Sequence, residues 1–381
     1  MNILHVTPAC YPATYWGGPT FTVYALNDAL AKLPGVTLKV LTTDTAGPNL
    51  KQRLEHSQLA DLYPYQEVLM TPRIAGASVS AEMLWRLPSL VRWADVIHLT
   101  AIYSFPTIPT LLICRLLGKP VVWSPHGAVQ DAHEWAGSKR RILKRVWEIV
   151  CNALVSPGKV VIHVISERER KPTQIRLPKA KAIIVPNGVD IPSHLPARKW
   201  LPDGQLRLMY LGRLSPKKGI ENLLQSMALL NDPTVILSIC GTGDSAYVAS
   251  LGNLADKLGL LNKNVFFVGH VDGGKKEQFF YRSDVCIVPS HTECFCMVVA
   301  EALAHGVPVI VSQGTPWAEL ENRRCGLWVD NSPEALVQAI VRIRTMELSE
   351  MGGRGRGWMK QDFSWIVIAN DMLTLYKQVM L

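Results

Sequence analysis

The stretch Glu293-Cys-Phe-Cys-Met-Val-Val-Ala-Glu301, followed by Ala-Leu-Ala-His-Gly306-Val-Pro-Val309, joins a loop, a short helix and a strand in one run. Its apolar residues repeat with helical spacing, so we predict a helix that begins near Met297 and ends before Gly306. The N–H groups in the first turn of such a helix have no intrahelical acceptor, and the helix dipole adds partial positive charge there. This end of the helix is therefore suited to a phosphate group.

The two carboxylates of this stretch lie on either side of the predicted anion site. Glu293 falls in the loop before the site, and Glu301 falls about one turn inside the helix. One carboxylate could hold hydroxyl groups on one side of a bound diphosphate, and the other could hold hydroxyl groups on the far side, as a sugar nucleotide requires. Spacing alone favours the plainer alternative, which is two solvated carboxylates beside a core helix.

A second element is the run Leu208-Met-Tyr-Leu-Gly-Arg-Leu-Ser-Pro-Lys-Lys-Gly219, which predicts a buried strand, a turn and a helix that opens at Ile220. Arg213 and Lys218 flank the turn, where both side chains can reach one anion. A guanidinium and an ammonium suit a leaving diphosphate, because negative charge accumulates on it as the glycosidic bond breaks. The alternative is a solvated basic turn. Neither a P-loop nor a Gly-x-Gly-x-x-Gly fingerprint is present.

Together these two elements resemble the retaining nucleotide-sugar glycosyltransferases of family four. The resemblance extends over nearly the whole chain through further motifs: Gly17-Gly18, His126-Gly127, Pro186-Asn-Gly-Val-Asp190, Gly241-Thr-Gly243 and Phe363-Ser-Trp365. Gly314-Thr-Pro-Trp317-x-x-Leu320 with Cys325-Gly326 is similar to a bacterial subgroup that builds surface polysaccharides. The resemblance implies the GT-B fold, in which two Rossmann-like doubly wound parallel-sheet domains face each other across a cleft.

The resemblance also implies a role for individual residues. His126 would hold the transferred sugar, although a lone histidine is more often structural. Arg213 and Lys218 would stabilise the leaving diphosphate, Glu293 would hold hydroxyls of the donor sugar, and Glu301 would hold the ribose. Further donor contacts are implied for Gly17, Gly18, Gly212, Thr242, Gly243, His270, Val271, Cys294, Phe295, Cys296, Met297 and Val298. Gly17 and Gly18 would close over the ligand, with an ordinary turn as the alternative.

The implied reaction keeps the anomeric configuration by front-side attack, and the departing phosphate takes the acceptor proton. We expect no metal and no cofactor, because the cations and the helix end supply the positive charge and an Asp-x-Asp pair is missing. Cys296 stands where the family usually carries Gly, and Cys294 where it often carries Asn or Gly. This departure opens a second hypothesis, a catalytically impaired nucleotide-sugar-binding partner subunit, against which the retained cations and carboxylates argue.

Strand-like apolar runs alternate with helical patterns in two series, which predicts parallel sheets covered on both faces. The predicted strands are Ile3–Thr7, Thr37–Thr42, Val96–Leu99, Val121–Ser124, Val160–Ile165 and Ala182–Val185, then Leu206–Gly212, Thr234–Cys240, Val265–Val268, Val285–Val288 and Val307–Val311. A proline-broken stretch from Asn187 to Pro202 separates the series. We therefore predict two doubly wound domains, over residues 1–190 and 191–365. The resemblance to the family implies that the first is the acceptor domain and the second the donor domain, with a helix over 366–381 returning to the first. Ligands in such sheets bind beyond the strands' carboxyl ends, so one cleft could collect the residues named above.

The composition fits a globular protein of two domains, since 48% of the 381 residues are apolar and 19% are charged. The eight cysteines form no CxxC pair, which favours reduced thiols over disulfides or zinc. Residues 1–6 are typical of a first strand rather than a signal peptide. We therefore expect a cytoplasmic protein, with possible association with the inner face of the plasma membrane.

The net charge of +9 is densest in the run Lys139-Arg-Arg-Ile-Leu-Lys-Arg145, which begins an amphipathic helix. Such a helix can lie on anionic lipid, and the equal alternative is a solvated helix packed on its own domain. We expect no nucleic-acid partner, because no recognised motif is present. The expected partners are a nucleotide-sugar donor and a saccharide or lipid-linked saccharide acceptor, which would contact the loops Tyr11–Trp16 and Gln130–Trp135.

Overall fold

The structure is a computed structural model that describes residues 1–76, 78–129 and 141–381. The chain divides into two compact units. Unit 1 comprises Met1–Gly188 together with Trp365–Leu381, and unit 2 comprises Val189–Ser364. The predicted acceptor loop Gln130–Trp135 and the basic residues Lys139 and Arg140 lie outside the described residues.

Unit 1 is built on a parallel sheet with the strand order β3-β2-β1-β4-β5-β6-β7 in its described part. The strands are β1 Asn2–Val6, β2 Thr37–Thr43, β3 Glu67–Thr71, β4 Val96–Thr100, β5 Val121–Ser124, β6 Val160–Val164 and β7 Lys181–Ile184. The helices are α1 Gly18–Ala31, α2 Ser57–Ala60, α3 Ala81–Trp93, α4 Thr107–Leu117, α5 Arg141–Leu154, α6 Glu167–Arg176 and α13 Trp365–Met380. Helices cover both faces of the sheet, as a βα alternation requires.

The two faces of the unit 1 sheet bury successive residues of the same strands. Ile3 joins a core with α1 and α13, whereas Leu4 joins a core with α3 and α4 on the opposite face. Successive side chains of a strand point to opposite faces, so a strand covered on both sides reads as a continuous apolar run. This pattern is what made the strands recognisable in the sequence.

Unit 2 has the strand order β10-β9-β8-β11-β12-β13 in a second parallel sheet. The strands are β8 Leu206–Leu211, β9 Val235–Cys240, β10 Val265–Gly269, β11 Val285–Val288, β12 Val309–Ser312 and β13 Gly326–Val329. The helices are α7 Ile220–Leu230, α8 Ser245–Lys257, α9 Gly273–Arg282, α10 Met297–Ala304, α11 Pro333–Arg344 and α12 Leu348–Trp358. The predicted helix starts at Ile220 and Met297 are confirmed.

All the predicted strands are present, with ends that differ by no more than two residues. Two further strands, β3 and β13, were not named in the prediction. Both lie at the edge of their sheet. The residues of β3 are mostly only half-buried, and β13 begins with a glycine and has two half-buried residues, so neither forms the fully buried apolar run of a central strand.

The chain passes between the units at two neighbouring places. The Val189 amide donates to the Phe363 carbonyl at 2.7 Å, and Val189 pairs with Ser364 in a parallel bridge. Within unit 1, Trp365 packs so closely on Gly188 that a Cβ at that glycine would overlap the indole ring. Among the helices of the described residues, none has the length and apolar character needed to cross a bilayer.

Candidate functional site

The turns after β8 and β9 lie side by side at the carboxyl edge of the unit 2 sheet. The Leu214 amide donates to the Thr242 carbonyl at 2.8 Å, and Leu214 pairs with Gly243. A Cβ at Gly241 would overlap the Gly212 carbonyl oxygen, and a Cβ at Gly243 would overlap the Leu214 carbonyl oxygen. Glycine is therefore needed so that the two turns can meet backbone to backbone, and the predicted pocket residues Gly212, Thr242 and Gly243 do lie together.

Lys218 ends a short 3₁₀ segment that the rest of the fold holds firmly. Gly219 follows in the left-handed region with φ of 64°, where a Cβ would overlap the carbonyl oxygen of Pro289. The His291 amide donates to the Lys217 carbonyl at 2.8 Å. These contacts fasten the Lys218 segment to the loop after β11, which carries Glu293.

The ammonium of Lys218 forms an ion pair with the Glu293 carboxylate. Only 18% of the lysine side chain and 11% of the glutamate side chain are exposed, and the Ser290 hydroxyl donates to the same carboxylate at 2.9 Å. Burial is the largest single effect and lowers the pKa of Lys218, but the charge and hydrogen bond of Glu293 together with the neighbouring Cys296 outweigh it, so the net pKa is raised. The sequence predicted that Arg213 and Lys218 reach one anion, and the structure brings a carboxylate from 75 residues away onto the lysine.

Arg213 is exposed beside this pair. Its backbone carbonyl accepts a hydrogen bond from the buried Tyr210 hydroxyl at 3.1 Å, so its backbone position is fixed from the core. The arrangement gives the edge of the sheet a half-buried cation, a carboxylate and an exposed guanidinium close together in the fold.

Helix α10 begins at Met297, as predicted, and Cys296 before it adopts φ of 71° and ψ of 75°. This left-handed conformation is one that a residue with a Cβ rarely adopts. Cys296 is itself buried, and burial raises the pKa of its thiol. The departure from glycine noted in the sequence therefore falls on a position whose backbone favours glycine.

The side chain of Phe295 packs in the core rather than facing a ligand. Its ring packs on Trp317 with 5.1 Å between ring centroids, and its carbonyl accepts a hydrogen bond from the Trp317 indole. The neighbouring Glu293 amide donates to the Gly314 carbonyl at 2.9 Å. The Gly314-to-Trp317 motif thus supports the loop before α10.

Glu301, inside α10, forms an ion pair of 3.1 Å with Lys276 of α9. Sequence reasoning missed Lys276, although the run Gly273-Gly-Lys-Lys276 at the start of a helix was a signal that could have found it. The predicted base contacts His270 and Val271 follow β10 at the same edge of the sheet. His270 is exposed and lies 3.5 Å from Asp272, and Val271 is buried.

Unit 1 contains a cavity of about 310 Å³ at the carboxyl ends of β1, β4 and β5. The described residues that line it are Thr7, Pro8, Ala9, Trp16, Pro19, Thr20, Val23, Thr45, Ser78, Thr100, Ala101, Ile102, Tyr103, Ser104, Pro125, His126 and Ala128. The cavity therefore presents apolar and hydroxyl groups, with two nitrogen heterocycles. Its size is at the lower end of the range typical of small-molecule sites.

His126 reaches this cavity from a left-handed backbone with φ of 51°. Burial, assisted by the neighbouring His163 and His5, lowers the pKa of His126 to about 3, so its imidazole is neutral at physiological pH. Gly17 caps the start of α1 with φ of 74°, and its carbonyl accepts from the Thr20 hydroxyl at 2.8 Å. A Cβ at Gly18 would meet open space.

Three more buried histidines, which sequence reasoning did not single out, lie behind His126. The His5 and His98 rings stack with 4.2 Å between centroids, and the His163 ring lies 6.2 Å from that of His98. Burial lowers the pKa of His5 and of His163 to about 4. Because each histidine lies in a different strand, no single motif could indicate the cluster.

Two family profiles match the chain over consecutive ranges. Residues 16–192 match the profile described as Glycosyltransferase Family 4, and residues 195–352 match that described as Glycosyl transferases group 1. Among curated relatives, D-inositol 3-phosphate glycosyltransferase of Segniliparus rotundus is 28% identical over 298 residues, which cover 70% of this chain and 62% of the relative. The chain spans about half the length of the curated relatives it matches.

Solved structures with a similar fold match nearly end to end. Sucrose-phosphate synthase of Thermosynechococcus elongatus has a TM-score of 0.71 at 23% identity and covers 99% of this chain and 98% of its own. The Anabaena protein HepE, solved in complex with UDP-glucose, has a TM-score of 0.69 at 16% identity over 99% of both chains. The predicted GT-B class of two parallel-sheet α/β domains is confirmed. The chain belongs to family four of the glycosyltransferases.

Proposed function

We propose that this protein transfers a sugar from a nucleotide-diphosphate sugar to an acceptor hydroxyl. The observation that carries the proposal is the Lys218–Glu293 pair at the carboxyl edge of the unit 2 sheet, beside the start of α10. A cation and a helix start serve a diphosphate, and a carboxylate serves sugar hydroxyls. The UDP-glucose bound to the structurally similar HepE supports a donor of this class.

The proposed donor site uses the residues of unit 2 in distinct roles. Lys218 and exposed Arg213 stabilise the leaving diphosphate, and Glu293 holds the sugar through its hydroxyls. When a diphosphate binds, the ammonium of Lys218 exchanges part of its contact with Glu293 for phosphate oxygens, which frees the carboxylate for the sugar. Glu301 holds the ribose, with Lys276 fixing its orientation at 3.1 Å.

We propose that the transfer retains the anomeric configuration and needs no metal. The positive charge that a metal would supply to the leaving group is available from Arg213, Lys218 and the α10 start. Adding EDTA to an active preparation should leave the rate unchanged, and NMR of the first product should give the donor's anomeric configuration. A rate that EDTA abolishes and Mg²⁺ restores would contradict the metal-free part of the proposal.

We assign the acceptor to the unit 1 cavity beside His126. Its apolar and hydroxyl lining suits a sugar ring, and the proposed acceptor is a saccharide or a lipid-linked saccharide of a bacterial surface polysaccharide. The neutral imidazole of His126 can accept or donate one hydrogen bond at each nitrogen, which suits a hydroxyl of the transferred sugar.

Helix α5 supports a contact with an anionic membrane at the inner face of the plasma membrane. One face packs inward, where the Trp147 indole donates to the Ile102 carbonyl at 2.6 Å. The other exposes apolar side chains, including Ile142 at 82% and Ile149 at 69%, next to the exposed cations Arg141 and Arg145. Exposed apolar groups flanked by cations match the interior and headgroups of an anionic bilayer.

Vesicle sedimentation tests this contact. We expect the protein to sediment with phosphatidylserine-containing vesicles at low salt, and the double variant Ile142→Ser/Ile149→Ser to remain in the supernatant. Leu229→Ser removes an apolar side chain that is also exposed, at 58%, but lies in unit 2, and it serves as the matched control. Equal sedimentation of the double variant and the control would sink the proposed surface.

Calorimetry against a panel of nucleotide diphosphates and their sugars tests the donor site. We expect micromolar binding of one nucleotide by the wild type and loss of that binding in Arg213→Ala. Because Arg213 is exposed, this variant should keep its fold. No binding by the folded wild type would overturn the transferase proposal. Donor binding without transfer to any acceptor, or to water, would favour the impaired partner subunit, with Cys296 as the first residue to revert to glycine.

A further inference from the structure

Glu169 is a fully buried carboxylate, 1% exposed, near the start of α6. In the sequence it completes Ser166-Glu-Arg-Glu169, the pattern of a capping box, in which the glutamate bonds the backbone N–H of the capping residue. The structure uses it differently. One carboxylate oxygen accepts from the Ile165 amide at 2.9 Å, and the other accepts from the Gly127 amide, 42 residues away in the chain.

The Gly127 amide belongs to the turn that carries His126 into the cavity. His126 and Gly127 both adopt left-handed backbone conformations, with φ of 51° and 75°. A non-glycine residue adopts this conformation only at a cost in free energy, so neighbouring contacts must hold it. A hydrogen bond from an amide to a carboxylate is about twice as strong as one between neutral groups, and Glu169 supplies such a bond at the residue after His126.

The other observations at this turn point the same way. Pro125, His126 and Ala128 all line the cavity, so a shift of the turn moves one wall of it. No hydrogen-bond partner of His126 Nε2 is found among the described residues, so the place of the imidazole depends on the backbone of the turn and on the packing around the ring. The carboxylate of Glu169 holds the backbone of this turn at the Gly127 amide.

We propose that Glu169 is a positioning residue, which sets the place of the His126 imidazole in the cavity by holding the amide of Gly127. This inference rests on the proposed function, because it gives His126 a part in the reaction. Glutamine at position 169 would keep the shape of the side chain but turn one acceptor into an NH₂ group, which cannot accept from an amide. Glutamate is thus required because both of its oxygens accept hydrogen bonds from backbone amides.

Kinetics in four proteins tests the proposal: wild type, Glu169→Gln, His126→Ala and the double variant. The probe reaction is UDP release from UDP-glucose with water as the acceptor, or the same release from whichever donor binds in calorimetry. We expect Glu169→Gln to lower kcat at least 30-fold while the donor Kd, set in unit 2, changes less than twofold. In the His126→Ala background the same substitution should lower kcat less than threefold.

A purely structural role would give a different result. Glu169→Gln would then lower kcat by the same factor with or without His126, and that outcome would overturn the proposal, as would an unchanged kcat. Failure of the proposed function itself is distinguishable, because wild type would then bind no donor.

If Glu169→Gln does not fold, the wild type still gives an answer by NMR. An amide proton held by a carboxylate should resonate downfield, and the Gly127 amide should move upfield on acid titration as Glu169 takes a proton. Burial raises the pKa of this carboxyl, against the two amide bonds that lower it. A Gly127 amide with an ordinary shift that does not titrate would overturn the inferred contact.

Discussion

The hydroxyl of Tyr376 donates a hydrogen bond to Nδ1 of His98 at 2.7 Å. The direction of this bond follows from a series of hydrogen bonds that links His98 to the Val185 carbonyl. The Val185 carbonyl can only accept, so His163 must donate to it through Nε2 at 2.8 Å. A neutral His163 then accepts at Nδ1 from the Ser124 hydroxyl, whose oxygen accepts from His98 Nε2, both at 2.7 Å. Helix α13 therefore begins an ordered line of hydrogen bonds that crosses β4, β5 and β6.

Removal of the first donor in this line should destabilise unit 1. Tyr376→Phe keeps the ring and leaves Nδ1 of His98 buried without a donor, which costs about 1–3 kcal/mol of unfolding free energy. Urea unfolding measures the difference. Tyr65→Phe removes the same hydroxyl from an exposed ring, and it should stay within about 0.5 kcal/mol of wild type. Equal stability of the two variants would show that the buried bond contributes nothing.

The buried histidines predict a loss of stability in mild acid. The pKa of His5 and of His163 falls from 6.5 to about 4 on folding, chiefly because burial disfavours the charged ring. Between these values the unfolded chain binds protons that the folded chain does not, so the free energy of unfolding falls as the pH drops from 6.5 towards 4. For one such histidine the full loss is about 3 kcal/mol. Urea unfolding at pH 7.5, 6 and 5 should show a progressive fall in the free energy of unfolding.

The control for this pH dependence is His56→Gln, which removes an exposed histidine. Its curve of stability against pH should follow that of the wild type. A wild-type stability that is flat between pH 7.5 and 5 would mean that the buried rings are not neutral in the way described.

At position 296 we expect glycine to be at least as stabilising as alanine, and valine to be the least stabilising of the three. Because its backbone is left-handed, a Cβ costs stability there and a branched Cβ costs more. We expect Cys296→Gly to be at least as stable as Cys296→Ala, and Cys296→Val to be about 1–2 kcal/mol less stable than the alanine variant. Urea unfolding of the three variants is the measurement. A valine variant as stable as the alanine one would contradict the conformation.

The Lys218–Glu293 pair should couple strongly in a double-mutant cycle. Lys218→Met leaves a largely buried carboxylate without its cation and should cost about 2 kcal/mol of unfolding free energy. Glu293→Gln in the same chain should recover at least half of that loss, although the double variant binds no donor. Additive effects of the two substitutions would show that the pair does not interact in solution.

Gly18 allows ligand contact to be separated from folding. A Cβ at this residue meets open space, so Gly18→Ala should leave the unfolding free energy within about 0.5 kcal/mol of wild type. If the backbone there approaches a ligand, the same variant should lower kcat/KM at least tenfold. Gly353→Ala, also with open space around its Cβ but in α12, should leave activity unchanged. Full activity of Gly18→Ala would remove this loop from the site.

Local patterns in the sequence were enough to predict the central strands and the two turns of unit 2. A strand covered on both faces is a continuous apolar run, and each of these turns contains glycine. Contacts between residues far apart in the sequence could not be predicted from local patterns. The ion pair of Lys218 with Glu293 joins positions 75 residues apart, and His98 meets Tyr376 across 278 residues. Edge strand β3 was missed because its residues are only half-buried and its pattern is weak.

The passage of the chain out of unit 1 at Gly188 and back at Trp365 constrains how the protein is made. Unit 2 is one continuous segment, so all of its parts are available as soon as the ribosome has released residue 364. Unit 1 begins first, yet its core takes Met372, Leu375 and Tyr376 from α13. The sheet of unit 1 is synthesised first, but part of one of its apolar faces stays uncovered until unit 2 and then α13 have been translated.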